Sequence, residues 1–162
     1  MLKRSFPPVV DARTRLLVLG SLPGEASLAA TQYYAHPQNH FWRLMSGVVD
    51  RDLVALDYDA RLAALLDAHI GLWDVVARAR REGSTDAAIR DLEANDLAAL
   101  AARLPQLRAI AFNGGTALKH GLKQLGGTSV EIVALPSSSP LHTVGLAAKQ
   151  PAWHALRRFL PD

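Results

Sequence analysis

The apolar positions along the chain fall into two kinds of run. Continuous runs occur in "RLLVLGS" (15–21), "AIAFNGG" (109–115) and "EIVALPS" (131–137), with a shorter one in "IGLWDVV" (70–76). Strands covered on both faces read this way, because neither face needs polar side chains. Elsewhere apolar residues recur at three- and four-residue intervals, over 40–49, 60–70, 96–104, 115–125 and 151–160. That spacing predicts amphipathic helices. Asn95 is placed to cap the helix over 96–104, and Pro151 to open the last one. Buried strands alternating with such helices predict a three-layer α/β/α fold around a four-stranded, mainly parallel sheet, in one domain spanning 1–162. One segment breaks the pattern. "RARREGSTDAAIRD" (78–91) is polar and rich in arginine, and it reads as a loop or a mobile helix.

Composition narrows the function classes. About half of the 162 residues are apolar (49%), yet no window resembles an uninterrupted membrane span and the N-terminus lacks a signal-peptide pattern. The expected compartment is the cytoplasm. There are no cysteines, which removes disulfides, thiol nucleophiles and cysteine-ligated iron–sulfur clusters. A net charge of +3 permits a polyanionic partner without demanding one.

Ligands of parallel α/β sheets bind beyond the carboxyl ends of the strands. Three strand ends here run into unusual loops, "GSLPGEAS", "NGGTA" and "LPSSSPLHT". Loops of Gly, Pro and Ser bring backbone N–H groups close to a ligand without bulky side chains. Downstream of the first lies "YYAHPQNHFW" (33–42), crowded with rings and amides. It raises two rival readings, a metal or hydrolase site and a pocket for a flat ring.

His36 and His40 have the spacing of a helical metal pair, but Pro37 between them puts His36 outside the helix, so no metal site is expected. The serines at 137–139 with His142 suggest a hydrolase nucleophile, but no G-x-S-x-G elbow accompanies them. "GSLPG" matches neither nucleotide-binding glycine pattern. Phe41, Trp42 and Leu44 lie at helical spacing and read as core, whereas of Tyr33 and Tyr34 one is expected in the core and the other in a pocket. Asn39 has a bland alternative, that its amide satisfies backbone groups at a helix start. Asp74 reads as an N-cap after a short strand.

Taken in order, "GSLPG … YYAHPQNHFW … GLWDVV … AFNGG … LPSSSPLH" resembles the uracil-DNA glycosylase superfamily. The match is closest to its hypoxanthine (deoxyinosine) branch and runs from about Leu16 to Thr143. The resemblance implies a four-stranded parallel sheet between helices, and a monofunctional glycosylase that flips deaminated bases out of DNA, hypoxanthine first and uracil or xanthine after it. It implies no cofactor, damaged DNA as partner, no membrane and a monomeric state. Asn39 and Ser21 fall at catalytic positions; Leu22 stands where mismatch-specific relatives have an asparagine. Gly20, Leu22, Pro23, Gly24, Tyr34, Phe112 and Asn113 would form the base pocket. Ser137, Ser138, Ser139, Pro140, Leu141 and His142 would touch DNA, Ser137 replacing the histidine of the uracil enzymes' H-P-S-P-L motif and Leu141 acting as the wedge. No lysine lies in the matching loops, so no Schiff-base lyase step is expected.

Overall fold

Leu16–Gly20 is apolar along its whole length and forms β2, a strand with every residue buried. In a computed structural model describing residues 2–141 and 144–161, β2 lies inside a sheet of order β3-β2-β6-β7, with β3 at Ile70–Asp74, β6 at Ala109–Asn113 and β7 at Glu131–Leu135. All three pairings are parallel. Pleating sends neighbouring residues to opposite faces. Leu16, Val18, Ala109 and Ala111 join one core with residues of α2 (Phe41–Val49), α3 (Tyr58–Asp67) and α6 (Leu146–His154). Leu17, Leu19, Ile110 and Phe112 join a second core under α4 (Leu97–Ala102) and α5 (Gly115–Leu122). The three layers are those that the hydrophobic pattern predicts.

Three local expectations need correction. Residues 78–91 are largely a hairpin: β4 (Val76–Arg80) pairs antiparallel with β5 (Arg90–Ala94) and with β1 (Leu2–Arg4), forming a separate three-stranded sheet. Its inward positions are filled by Val76 and Ala79, small enough to leave little apolar signal, and arginines occupy the outward ones. The N-cap of α4 is Asp96, whose side chain accepts the Ala99 N–H, while the Asn95 amide donates to the Asp74 carbonyl at 2.7 Å. The last helix starts at Leu146, which leaves Pro151 in its interior. A fully buried Lys149 stands on the inward face of that first stretch and hid it from the periodicity. A short helix, α1 (Glu25–Ala30), follows the first loop and was not expected.

Candidate active site

The loops at the carboxyl ends of β2, β6 and β7 converge with the segment 34–39 and the tip of the β4–β5 hairpin around a cavity of about 750 Å³. Gly20 is paired with Asp74 across β2 and β3, and the approach there excludes a side chain. A Cβ on Gly20 would come within 2.6 Å of Asp74 Oδ1 and 3.0 Å of the Tyr34 hydroxyl. Ser21 donates its hydroxyl to Asp86 Oδ1 at 2.7 Å. The buried Arg81 guanidinium then holds the turn from below, donating to the carbonyls of Leu22 and Pro23.

A reciprocal pair fixes the other two loops. The Asn113 amide donates to Ser138 Oγ at 2.8 Å and accepts the Ser138 N–H at 2.8 Å, with both side chains buried. Gly114 takes a φ of +96°, open to glycine, and a Cβ there would press on Ser137 at 3.2 Å. The remaining serines shape their own loop: Ser137 Oγ accepts from the Ser139 N–H and Ser139 Oγ from the Leu141 N–H. From outside, the His40 N–H donates to the Ser138 carbonyl, and Lys149 reaches His40 Nδ1 at 3.1 Å and the Ser139 carbonyl at 3.4 Å. Burial lowers the pKa of both Lys149 and His40. Leu141 projects from this braced loop with 59% of its surface exposed.

The aromatic segment supplies the wall. Tyr33 is a core ring whose hydroxyl donates to the Pro7 carbonyl. Tyr34 borders the cavity and stacks on Phe41, centroids 3.8 Å apart and planes 10° from parallel. Its backbone has φ +54°, uncommon for a non-glycine residue and a strain of the sort that clusters at binding sites. Asn113 donates to the Tyr34 hydroxyl at 3.3 Å, and burial raises this phenol above its ordinary range, so it stays neutral. Asn39 also borders the cavity, while its Oδ1 accepts the Phe41 N–H at 2.9 Å. The bland role and a functional one therefore coexist. His36 turns its Nδ1 to the Gln38 N–H, so the two histidines serve different local contacts. No group of three or more potential metal ligands occurs among the described residues.

Two carboxyl groups complete the lining. Asp74 is 4% exposed, and its Oδ2 has no hydrogen-bond partner among the described residues. Burial pushes its pKa up to about 7, the charge of Asp86 adds to the rise, and Arg81 opposes it. Burial also raises Asp86, countered by the Ser21 hydrogen bond, Arg81 and His120.

A fold with these loops has relatives. The model of the uracil DNA glycosylase superfamily matches residues 7–157. The chain belongs to that superfamily. It is 40% identical over 155 residues to a hypoxanthine DNA glycosylase of Methanosarcina barkeri, covering 94% of this chain and 96% of the relative. Identity to the hypoxanthine DNA glycosylase of Methanosarcina acetivorans is 40% over 158 residues, 98% and 99% of the two chains. A solution NMR structure of a candidate uracil DNA glycosylase from M. acetivorans superposes with a TM-score of 0.89 at 40% identity, covering 98% of this chain and 99% of that one.

Within the superfamily frame the site expectations sort cleanly. Gly20, Ser21, Leu22, Pro23, Gly24, Tyr34, Asn39, Asn113, Ser137, Ser138, Ser139, Pro140 and Leu141 are brought to one cavity. Leu22 borders it while packing in a small cluster with Val76 and Ala79 of the hairpin. Phe112 is a correction: the pleat turns it into the second core, against Gly121, and away from the cavity. His142 lies outside the described residues. Asp74 caps no helix; it points where a ligand would sit, and a carboxylate closing an apolar strand was the available signal. Asp86 and Lys119 also line the cavity and were not expected there. Nothing in the sequence links Asp86 to Ser21, 65 positions away.

Proposed function

We propose that this protein hydrolyses the N-glycosidic bond of deaminated bases in DNA, hypoxanthine first and uracil second, as a monofunctional, metal-independent monomer of one domain acting on DNA in the cytoplasm. The observation that carries the reading is the cavity itself, walled by a ring stacked on the core and floored by the Asn113–Ser138 clamp. Its volume lies within the roughly 300–1,000 Å³ typical of small-molecule sites. Extruding a nucleotide costs a few kcal/mol. An aromatic face returns roughly 1–3 kcal/mol per stacked base, and the Tyr34 ring, backed by Phe41, is placed to supply it. The exposed Leu141 supplies the apolar wedge that fills the vacated stack. Two relatives of nearly equal length and 40% identity, both named for hypoxanthine, support that base over uracil.

The serine-hydrolase alternative finds little support. Ser137, Ser138 and Ser139 each use the hydroxyl to hold the loop, and Ser138 is fully buried against Asn113. Lys119, at the cavity border, is the one lysine whose amine warrants a check for lyase chemistry. The test is a panel of duplexes carrying hypoxanthine, uracil, xanthine or ethenoadenine, incubated with the purified protein in EDTA. Base release fastest from hypoxanthine, with no adduct trapped by borohydride, is expected. Release only after metal is added, or none from any duplex, overturns the reading.

A further inference from the structure

Two carboxyl groups border the cavity, and the reading above gives neither a task. Asp74 ends β3 with its Oδ2 buried and unpartnered among the described residues. Asp86 comes from the hairpin tip and accepts the Ser21 hydroxyl at 2.7 Å. The cleavage passes through an oxocarbenium-like sugar, which favours a nearby anion, and leaves electron density on the departing base, which favours a nearby acid. Asn39 meets neither need. An amide accepts no proton at neutral pH, and its Oδ1 already takes the Phe41 N–H.

The neighbours of the two carboxyl groups distinguish them. Around Asp86, the Ser21 hydroxyl donates and Arg81 and His120 lie close, all supporting the charged form against burial; Tyr34 and Asp74 are its other titratable neighbours. Around Asp74, burial dominates, Asp86 adds to it, and Arg81 opposes it. The phenols of Tyr33, Tyr34 and Tyr58 complete that environment, and none supplies positive charge. When two carboxyl groups share a low-dielectric site, the better supported one ionises first and keeps the proton on the other.

We propose, building on the glycosylase reading, that Asp86 is the anion that faces the sugar and takes the proton of the attacking water, and Asp74 the acid that donates to the departing base. The C1′–N bond breaks with its electron pair passing to the base, and Asp74 transfers its proton there, so the base leaves neutral. The water oxygen bonds to C1′ and its proton goes to Asp86. Proton exchange between the two acids restores the starting state. One water is consumed, and one free base and one abasic sugar are formed. Ser21 is then a positioning residue, because it acts by orienting Asp86.

Single-turnover release from a hypoxanthine duplex, followed across pH, tests the assignment. Two coupled acids give a bell whose limbs belong to the pair. Asp86→Asn is expected to lower the plateau by about 100-fold or more, with affinity for a duplex carrying uncleavable 2′-fluorodeoxyinosine changed less than about threefold. Asp74→Asn should lower the rate and remove the basic limb. Ser21→Ala keeps both carboxyl groups and should move the acid limb to higher pH, so it remains informative if an aspartate variant misfolds. A folded Asp86→Asn protein within about fivefold of wild type, a basic limb that survives Asp74→Asn, or an acid limb unmoved in Ser21→Ala overturns the proposal. Wild-type protein that releases no base from any lesion overturns the glycosylase reading beneath it.

Discussion

The side-chain amide oxygen of Asn39 accepts the Phe41 N–H, so this residue belongs to the entry of α2 as well as to the cavity wall. Asn39→Ala should therefore show two separable losses. Removing the cap-like bond costs about 1 kcal/mol of stability. Loss of the amide is expected to lower single-turnover cleavage strongly while lesion-DNA affinity stays nearly constant. Tyr34→Ala is the contrast, since removing the stacking face weakens binding together with cleavage. Near-normal base release by a folded Asn39→Ala protein would leave only the capping role. Asp74 gives a prediction in stability instead. Its pKa rises from 3.8 to about 7 on folding, so the native state binds this proton more tightly than the unfolded chain does. The stabilisation is fully present below pH ~4 and is lost as pH rises through ~7, an effect of up to ~4 kcal/mol at about 1.4 kcal/mol per unit. Asp74→Asn should thus gain stability relative to wild type at pH 8 and lose that gain at pH 4, as measured by urea melts. Residues whose chemistry is local are legible in the sequence: Pro37 separates His36 from His40, and the reading of Asn39 as an amide satisfying backbone at a helix start matches its bond from the Phe41 N–H. Asp74 is not legible, because its environment consists of groups brought in by other elements.

At the scale of elements, the loop 137–141 is the most heavily braced part of the site. Asn113, His40 and Lys149 all hydrogen-bond to it, and Leu141 is left exposed. A rigid mount under an apolar tip is what insertion into a base stack requires. Leu141→Ala should impair cleavage of duplex substrate by tenfold or so while sparing single-stranded substrate, with little change in melting temperature. Equal losses on both strands would make Leu141 an ordinary loop contact. The four sheet strands were legible because continuous apolar runs admit few other structures. The hairpin was not, since Val76 and Ala79 fill its inner face with little bulk and Arg78 and Arg80 dominate the composition. Phe112 was misplaced for a related reason: a strand buried on both faces carries no period that says which way each ring points.

Across the whole molecule, three loops, one aromatic segment and one hairpin tip meet at the carboxyl edge of a parallel sheet, the place such sheets reserve for ligands. That convergence was legible, because it follows from strand direction. The hydrogen bonds across it were not, since pairs such as Ser21–Asp86 and Asn113–Ser138 depend on crossover geometry no local pattern encodes. The two sheets also differ in what holds them. The larger has both faces sealed by helices, whereas the hairpin rests on a small cluster around Leu22, Val76 and Ala79, with its Arg78–Glu93 pair open to solvent. Regions with few buried apolar contacts open below the global transition, and exposed ion pairs add little. The hairpin that presents Asp86 should therefore come away first on warming. Hydrogen exchange at 76–94 should outpace that of β2 and β6, and single-turnover rate should begin to fall several degrees below the melting temperature read by circular dichroism. Coincident loss of rate and of ellipticity would show that the hairpin is as firmly held as the core. In an organism living near that limit, repair capacity would fail reversibly while the protein pool remained folded, so recovery after a heat excursion would need no new synthesis.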